Sequence, residues 1–262
     1  MTANGVCSRL YCLTLGHERV PRWISVEGAG DEVFRCPVIA IAVHSPDGWF
    51  LLETGMGDGL RTHPERYREV YVWGDPDFDT DRDPLLSQLA ACGLEPGHFA
   101  GVAVSHLHLD HSGGLSHFAG GPPIFIQELE LAFALSEART EHAYWRPDYE
   151  GRDLRWQPLG GDGRIAAGIE AIFTPGHTPG HMSYLVTLPS GKWLFAIDAI
   201  DLAENLERNI PIGASARPQD APRRRESHDR LVALAAAEGA RLVPGHCPVI
   251  WPSLRHPPEF YA

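Results

Sequence analysis

Four short apolar runs in this chain each end on histidine or aspartate. GVAVS leads into His106, His108, Asp110 and His111, IEAIFTPG into His177, KWLFAI into Asp198, and ARLVPG into His246. Runs rich in Val, Ile, Leu and Phe and bounded by Gly, Pro and Asp read as strands. Layered α/β folds form their binding crevices at the carboxyl ends of strands. Polar groups far apart in the chain are therefore predicted to meet at one sheet edge.

The intervening segments fit that architecture. VIAIAVHSPDGWFLLETG predicts a hairpin, with strands Val38 to His44 and Trp49 to Leu52 and a reversal at Pro46-Asp47-Gly48. DPLLSQLAACGLEP predicts a helix capped by Asp83, with Pro84 in its first turn and Gly93 as its stop. QELELAFALSEAR predicts a second helix, and RRRESHDRLVALAAAEGA a third, which presents Leu231, Leu234 and Ala235 on one face and ends at Gly239. Strands mixed with helices in this order predict a layered α/β fold. The stretch from Arg61 to Asp83 has no clear period and reads as a lid or pocket wall.

Bulk properties exclude several classes. With 262 residues, 44% apolar and 21% charged, the chain can bury a full core and reads as one domain over 1–262. The formal net charge of -12 argues against a nucleic-acid partner, which needs clustered cations. The one basic cluster, Arg223 to Arg225, reads as a solvated helix face. Five scattered cysteines without a CxxC pair indicate neither a disulfide framework nor a thiolate zinc site, and point to a reducing compartment. No leader pattern and no run of ~18 apolar residues is present, so the expectation is a cytoplasmic protein without a membrane partner.

The polar clusters have the chemistry of a metal site. Imidazole and carboxylate oxygen suit zinc and similar divalent ions. In an extended loop His106 and His108 point the same way and can hold one ion, whereas a helix starting near Asp110 would turn that carboxylate and His111 toward a second. Gly113 and Gly114 let backbone crowd against the site. The nine other histidines, His181 among them, are expected at the surface or in supporting roles.

With HLHLDH, LLETG, TPGHTPGH, FAID and VPGH in view, nearly the whole chain resembles the metallo-β-lactamase superfamily, and within it the N-acyl homoserine lactonase group. The resemblance implies a four-layer αββα sandwich and a pair of divalent ions, zinc by default with iron, manganese or cobalt as alternatives. It implies that His106, His108 and His177 hold one ion, that Asp110, His111 and His246 hold the other, and that Asp198 bridges them. It further implies hydrolysis of a lactone or related small ester by water activated between the ions, with Asp110 and Asp198 as catalytic carboxylates. A thioester hydrolase of the glyoxalase II type is the alternative on the same scaffold.

Two positions depart from the group. Asp201 stands where a tyrosine usually meets the substrate carbonyl, and Glu53 stands where an aspartate usually orients a ligand histidine. Met56, Trp73, Phe78, Tyr144 and Trp145, together with Asp201, are the candidates for contact with a small-molecule substrate. The sequence leaves monomer and homodimer open.

Overall fold

Every residue from Cys36 to Val43 is buried, as expected of a strand covered on both faces. Its two faces enter different cores. Ile39, Ile41 and Val43 pack with residues of a second sheet such as Tyr184, Val186 and Phe195. Val38, Ala40 and Ala42 pack with Leu85 and Leu89 of a helix and with Phe118 and Phe133. This two-residue alternation builds a sheet-on-sheet sandwich flanked by helices.

The computed structural model describes residues 5–67, 70, 74–77, 82–136 and 143–262. Among them twelve strands form two sheets: β1 (Arg9–Pro21), β2 (Val33–Ser45), β3 (Gly48–Leu52), β4 (Asp75–Asp77), β5 (Phe99–Ala103), β6 (Pro123–Gln127), β7 (Arg155–Leu159), β8 (Gly163–Ala166), β9 (Ile169–Phe173), β10 (Met182–Leu188), β11 (Gly191–Ile197) and β12 (Arg241–Pro244). The first sheet has the order β4-β1-β2-β3-β5-β6-β7 and the second β12-β11-β10-β9-β8. Both are mixed, with β3, β5, β6 and β7 parallel to one another in the first and β11 parallel to β12 in the second. A third core closes the outer face of the second sheet, where Ile172, Leu185 and Leu194 meet Leu231 of the helix Ala221–Glu238. The layers are thus helix, sheet, sheet, helix.

Local signals act as the residues dictate. The β2–β3 hairpin pairs Ser45 with Gly48, so its loop is Pro46-Asp47, and β2 itself begins at Val33, earlier than the apolar run suggests. Asp83 caps the helix Pro84–Ala91, its Oδ1 accepting from the Leu86 N–H at 2.9 Å. The long C-terminal helix starts at Ala221 and stops at Gly239, whose φ of 59° is left-handed. The second helix spans Glu128–Leu135, shorter than its apolar pattern, and residues 137–142 lie outside the described set. So do Trp73 and Phe78. No helix among the described residues is long and apolar enough to cross a membrane.

Asp83 also accepts from His117 Nε2 at 2.8 Å, tying the helix start to the segment after the central motif. Burial works against the Asp83 charge, but the His117 and Leu86 hydrogen bonds hold its carboxyl below the usual range. Asp83→Ala should cost about 1–2 kcal/mol at neutral pH, the worth of a lost helix cap. A group with a depressed folded pKa stabilises above its unfolded pKa and loses that contribution as pH falls through the folded value. The gap between wild type and variant in urea unfolding is therefore expected to close below about pH 4. A gap that stays constant into acid would show that the carboxylate charge contributes nothing.

Candidate metal centre and active site

The loop after β5 carries the first group of polar side chains. Extended backbone runs to His108, and a single helical turn, Leu109–Ser112, follows. The loop after β9 presents His177, the end of β11 presents Asp198, and the loop after β12 presents His246. Donor atoms of His106, His108 and His177 lie within 4.8 Å of one another, as do those of Asp110, His111, Asp198 and His246. All seven side chains are buried.

Asp198 joins the two sets through its two oxygens. Oδ1 lies 3.1 Å from His246 Nε2 and 3.2 Å from His111 Nε2, while Oδ2 lies 3.3 Å from His177 Nε2 and 3.8 Å from His106 Nε2. Asp110 Oδ2 approaches His111 Nε2 at 3.0 Å. The imidazole nitrogens His106 Nε2, His108 Nε2 and His111 Nε2 are buried with no hydrogen-bond partner. His111 Nε2 has two carboxylate oxygens close by but neither in hydrogen-bonding alignment. Donors that converge without bonding to one another are arranged around shared points, and a divalent cation fits them.

The charge pattern agrees. Burial drives His106 and His108 well below the ordinary imidazole range, which leaves them neutral as metal ligands must be. Burial also opposes a charge on His111 and on His246, yet the carboxylates outweigh it, Asp110 and Asp198 at His111 and Asp198 at His246, and raise both. The carboxylate pair thus demands positive charge at the point where the second set converges.

Supporting groups fix these side chains. Glu53, fully buried, accepts from the Ser105 N–H at 2.8 Å and engages His111 Nδ1 at 2.8 Å, and Ser105 Oγ in turn contacts His106 Nδ1 at 2.8 Å. His181, the second histidine of TPGHTPGH, lies beside His106 and Asp198 with both ring nitrogens engaged. Its Nε2 accepts from the Asp198 N–H at 3.1 Å and its Nδ1 faces Thr174 Oγ1 at 2.9 Å, a pairing that suits the neutral ring burial imposes, with a pKa near about 3. His246 Nδ1 is anchored on the Pro37 carbonyl at 2.9 Å. Glu53 at φ 68° and Ile197 at φ 49°, just before Asp198, hold left-handed backbone that side chains avoid, a strain of about 1–3 kcal/mol each.

A cavity of about 400 Å³ opens beside the cluster, reaching His108, Asp110, His177 and Asp198. Val20, Trp23, Ile24 and Pro218 give it an apolar wall, and Glu18 and Arg224 add polar groups. None of these came from the motif reading. Glu18 follows an irregularity in the β1–β2 register between Thr14 and His17, and its burial pushes its carboxyl up to about 8, with Asp110 adding to the effect.

The expected substrate contacts are corrected accordingly. Met56 is 3% exposed and packs in the helix-side core, because its apolar side chain finds more to bury there than at the cavity. Trp145 packs half-buried against that same core. Tyr144 is not in the wall either; it sets its ring 4.6 Å from that of His108 and donates its hydroxyl to Glu130 at 2.6 Å. Asp201 is buried, its Oδ1 has no hydrogen-bond partner, and burial and Asp198 push its carboxyl up to about 7.

Residues 33–246 match the family described as the Metallo-beta-lactamase superfamily. The chain is 32% identical over 247 residues to N-acyl homoserine lactonase AttM of Agrobacterium fabrum, covering 87% of this chain and 89% of that one. It is 30% identical over 183 residues to N-acyl homoserine lactonase AiiA of Bacillus thuringiensis subsp. kurstaki, covering 69% and 70%. A solved N-acyl homoserine lactone hydrolase with N-hexanoyl-L-homoserine at its catalytic metal centre superposes with a TM-score of 0.86 at 26% identity, over 98% of this chain and 100% of that one.

Glu53→Gln keeps the shape of this support but turns an amide N–H₂ toward Ser105 or His111, both of them donors. Divalent-cation affinity, followed by titration of the metal-free protein, is expected to fall about 10–100-fold. Unchanged affinity would mean that Glu53 serves only the fold.

Proposed function

This chain belongs to the metallo-beta-lactamase superfamily, and we propose that it is a metal-dependent hydrolase that opens the ring ester of N-acyl homoserine lactones or close relatives. One observation supports this above the others: Asp198 divides its two oxygens between two groups of buried imidazoles at the floor of an apolar cavity. The assignment that follows gives His106, His108 and His177 to one ion, Asp110, His111 and His246 to the second, and Asp198 to both. Two such cations, when bound, lower the pKa of water and polarise a carbonyl. Zinc is the proposed occupant, since nitrogen and oxygen donors favour it, and iron, manganese or cobalt suit the same set.

The remaining work falls to the chain. The apolar wall of Val20, Trp23, Ile24 and Pro218 takes the acyl tail and keeps water from its path. Asp110 reaches the cavity, and its Oδ2 lies 3.0 Å from His111 Nε2, where the second donor set converges. That leaves Oδ1 to receive a proton from the attacking water and to return it to the ring oxygen as the C–O bond breaks. The His111 Nδ1 contact to the Glu53 carboxylate and the Asp198 N–H bond to His181 hold the reacting carboxylates and imidazoles in place. All five cysteines are free, which accords with a reducing, cytoplasmic setting.

A hydrolysis screen over acyl homoserine lactones, other ring lactones, thioesters and β-lactams tests this reading, with elemental analysis of the purified protein alongside. The expected outcome is lactone ring opening that disappears on chelation and returns with added metal. Turnover of thioesters alone would favour the glyoxalase II type of reaction instead. Asp110→Asn should lower kcat by about 10²–10⁴-fold, the worth of general acid–base catalysis. An Asp110→Asn enzyme with wild-type kcat would remove Asp110 from proton transfer.

A further inference from the structure

Glu130 stands in the first turn of the helix Glu128–Leu135, yet it is fully buried. Its Oε1 accepts from the Leu107 N–H at 3.1 Å and from the Tyr144 hydroxyl at 2.6 Å. Its Oε2 accepts from the Thr178 hydroxyl at 2.6 Å and from the Gly180 N–H at 3.1 Å. Leu107 lies between His106 and His108, Thr178 follows His177, and Tyr144 packs its ring on His108. One carboxylate therefore ties together the two loops that carry His106, His108 and His177. The fit leaves no slack, since a Cβ at Gly180 would fall 2.2 Å from the Glu130 backbone nitrogen.

Among the described residues, none of the Glu130 hydrogen bonds is made to Asp110, His111, Asp198 or His246. His111 rests on Glu53, His246 on the Pro37 carbonyl, and the Asp198 backbone on His181. We propose that Glu130 is a positioning residue for the three-histidine site, fixing the separation of its two loops so that this site alone depends on it for metal affinity. The inference rests on the dinuclear reading above and assigns one of its two sites a dedicated anchor. Each oxygen accepts from one backbone N–H and one hydroxyl, so whichever way an amide at residue 130 turns, its N–H₂ group confronts a backbone N–H.

Zinc titration of metal-free protein against a competing chelator tests the proposal, with anomalous scattering from crystals to locate the ions. Wild type should bind two equivalents. Glu130→Gln should keep one at wild-type affinity, among Asp110, His111 and His246, and bind the other about 10–100-fold more weakly. Glu53→Gln, which touches His111 directly and His106 through Ser105, should weaken both. Should Glu130→Gln fail to fold, Thr178→Val removes a single donor and is expected to produce a smaller loss at the same site. Two sites of unchanged affinity, or two weakened equally, would overturn the assignment. Wild-type protein that binds no metal would instead overturn the dinuclear reading itself.

Discussion

Carboxylates and imidazoles taken out of water are costly unless each is paired, and this fold buries many of them at one sheet edge. Two solutions coexist. Glu130 is satisfied by hydroxyl and backbone donors, and Glu53 by the Ser105 N–H together with His111 Nδ1, so both act as rigid brackets. Asp110 and Asp198 lean on imidazoles instead, and that arrangement leaves buried nitrogens without partners. The brackets tolerate no rearrangement, and the open-ended half is where a cation and a substrate have something to bind.

The sandwich makes that arrangement possible. Strands β5 and β11, which lead into His106 and Asp198, are buried at their carboxyl ends, so the segments beyond them are fixed by the cores. Chain segments more than a hundred residues apart arrive with their donors in register, and left-handed backbone at Glu53 and Ile197 turns the final residues inward. Such strain persists only where surrounding packing over-determines it. Here the packing comes from the inter-sheet core, in which Ile197 itself takes part.

Much of this was legible in the sequence, for physical reasons. Strand ends, helix caps such as Asp83 and the grouping of His106, His108, Asp110 and His111 follow from local rules that operate within a few residues. The cavity wall did not follow from them. Glu18, Trp23 and Ile24 reach the cavity from the end of β1, after a register irregularity that no periodicity announces. Met56 and Tyr144 were misplaced because an aromatic or apolar side chain near a motif gains as much from a core as from a pocket. Glu130 was passed over because a glutamate on a helix with an apolar stripe ordinarily faces solvent. Its burial becomes visible only when two distant loops are brought to it.

Ala143, Gly213, Ala214, Ser215, Ala216 and Ala221 also line the cavity. Gly213 is pinned, because a Cβ there would meet the Trp23 carbonyl oxygen at 1.7 Å. Ala143 is held too, at a left-handed φ of 73°, whereas at the other alanines a codon is one base change from valine. Inherited drift at these positions can change the volume and shape of the chamber while the clustered histidines and aspartates stay as they are. A lineage carrying this scaffold can follow a changing chemical environment without rebuilding its reactive machinery.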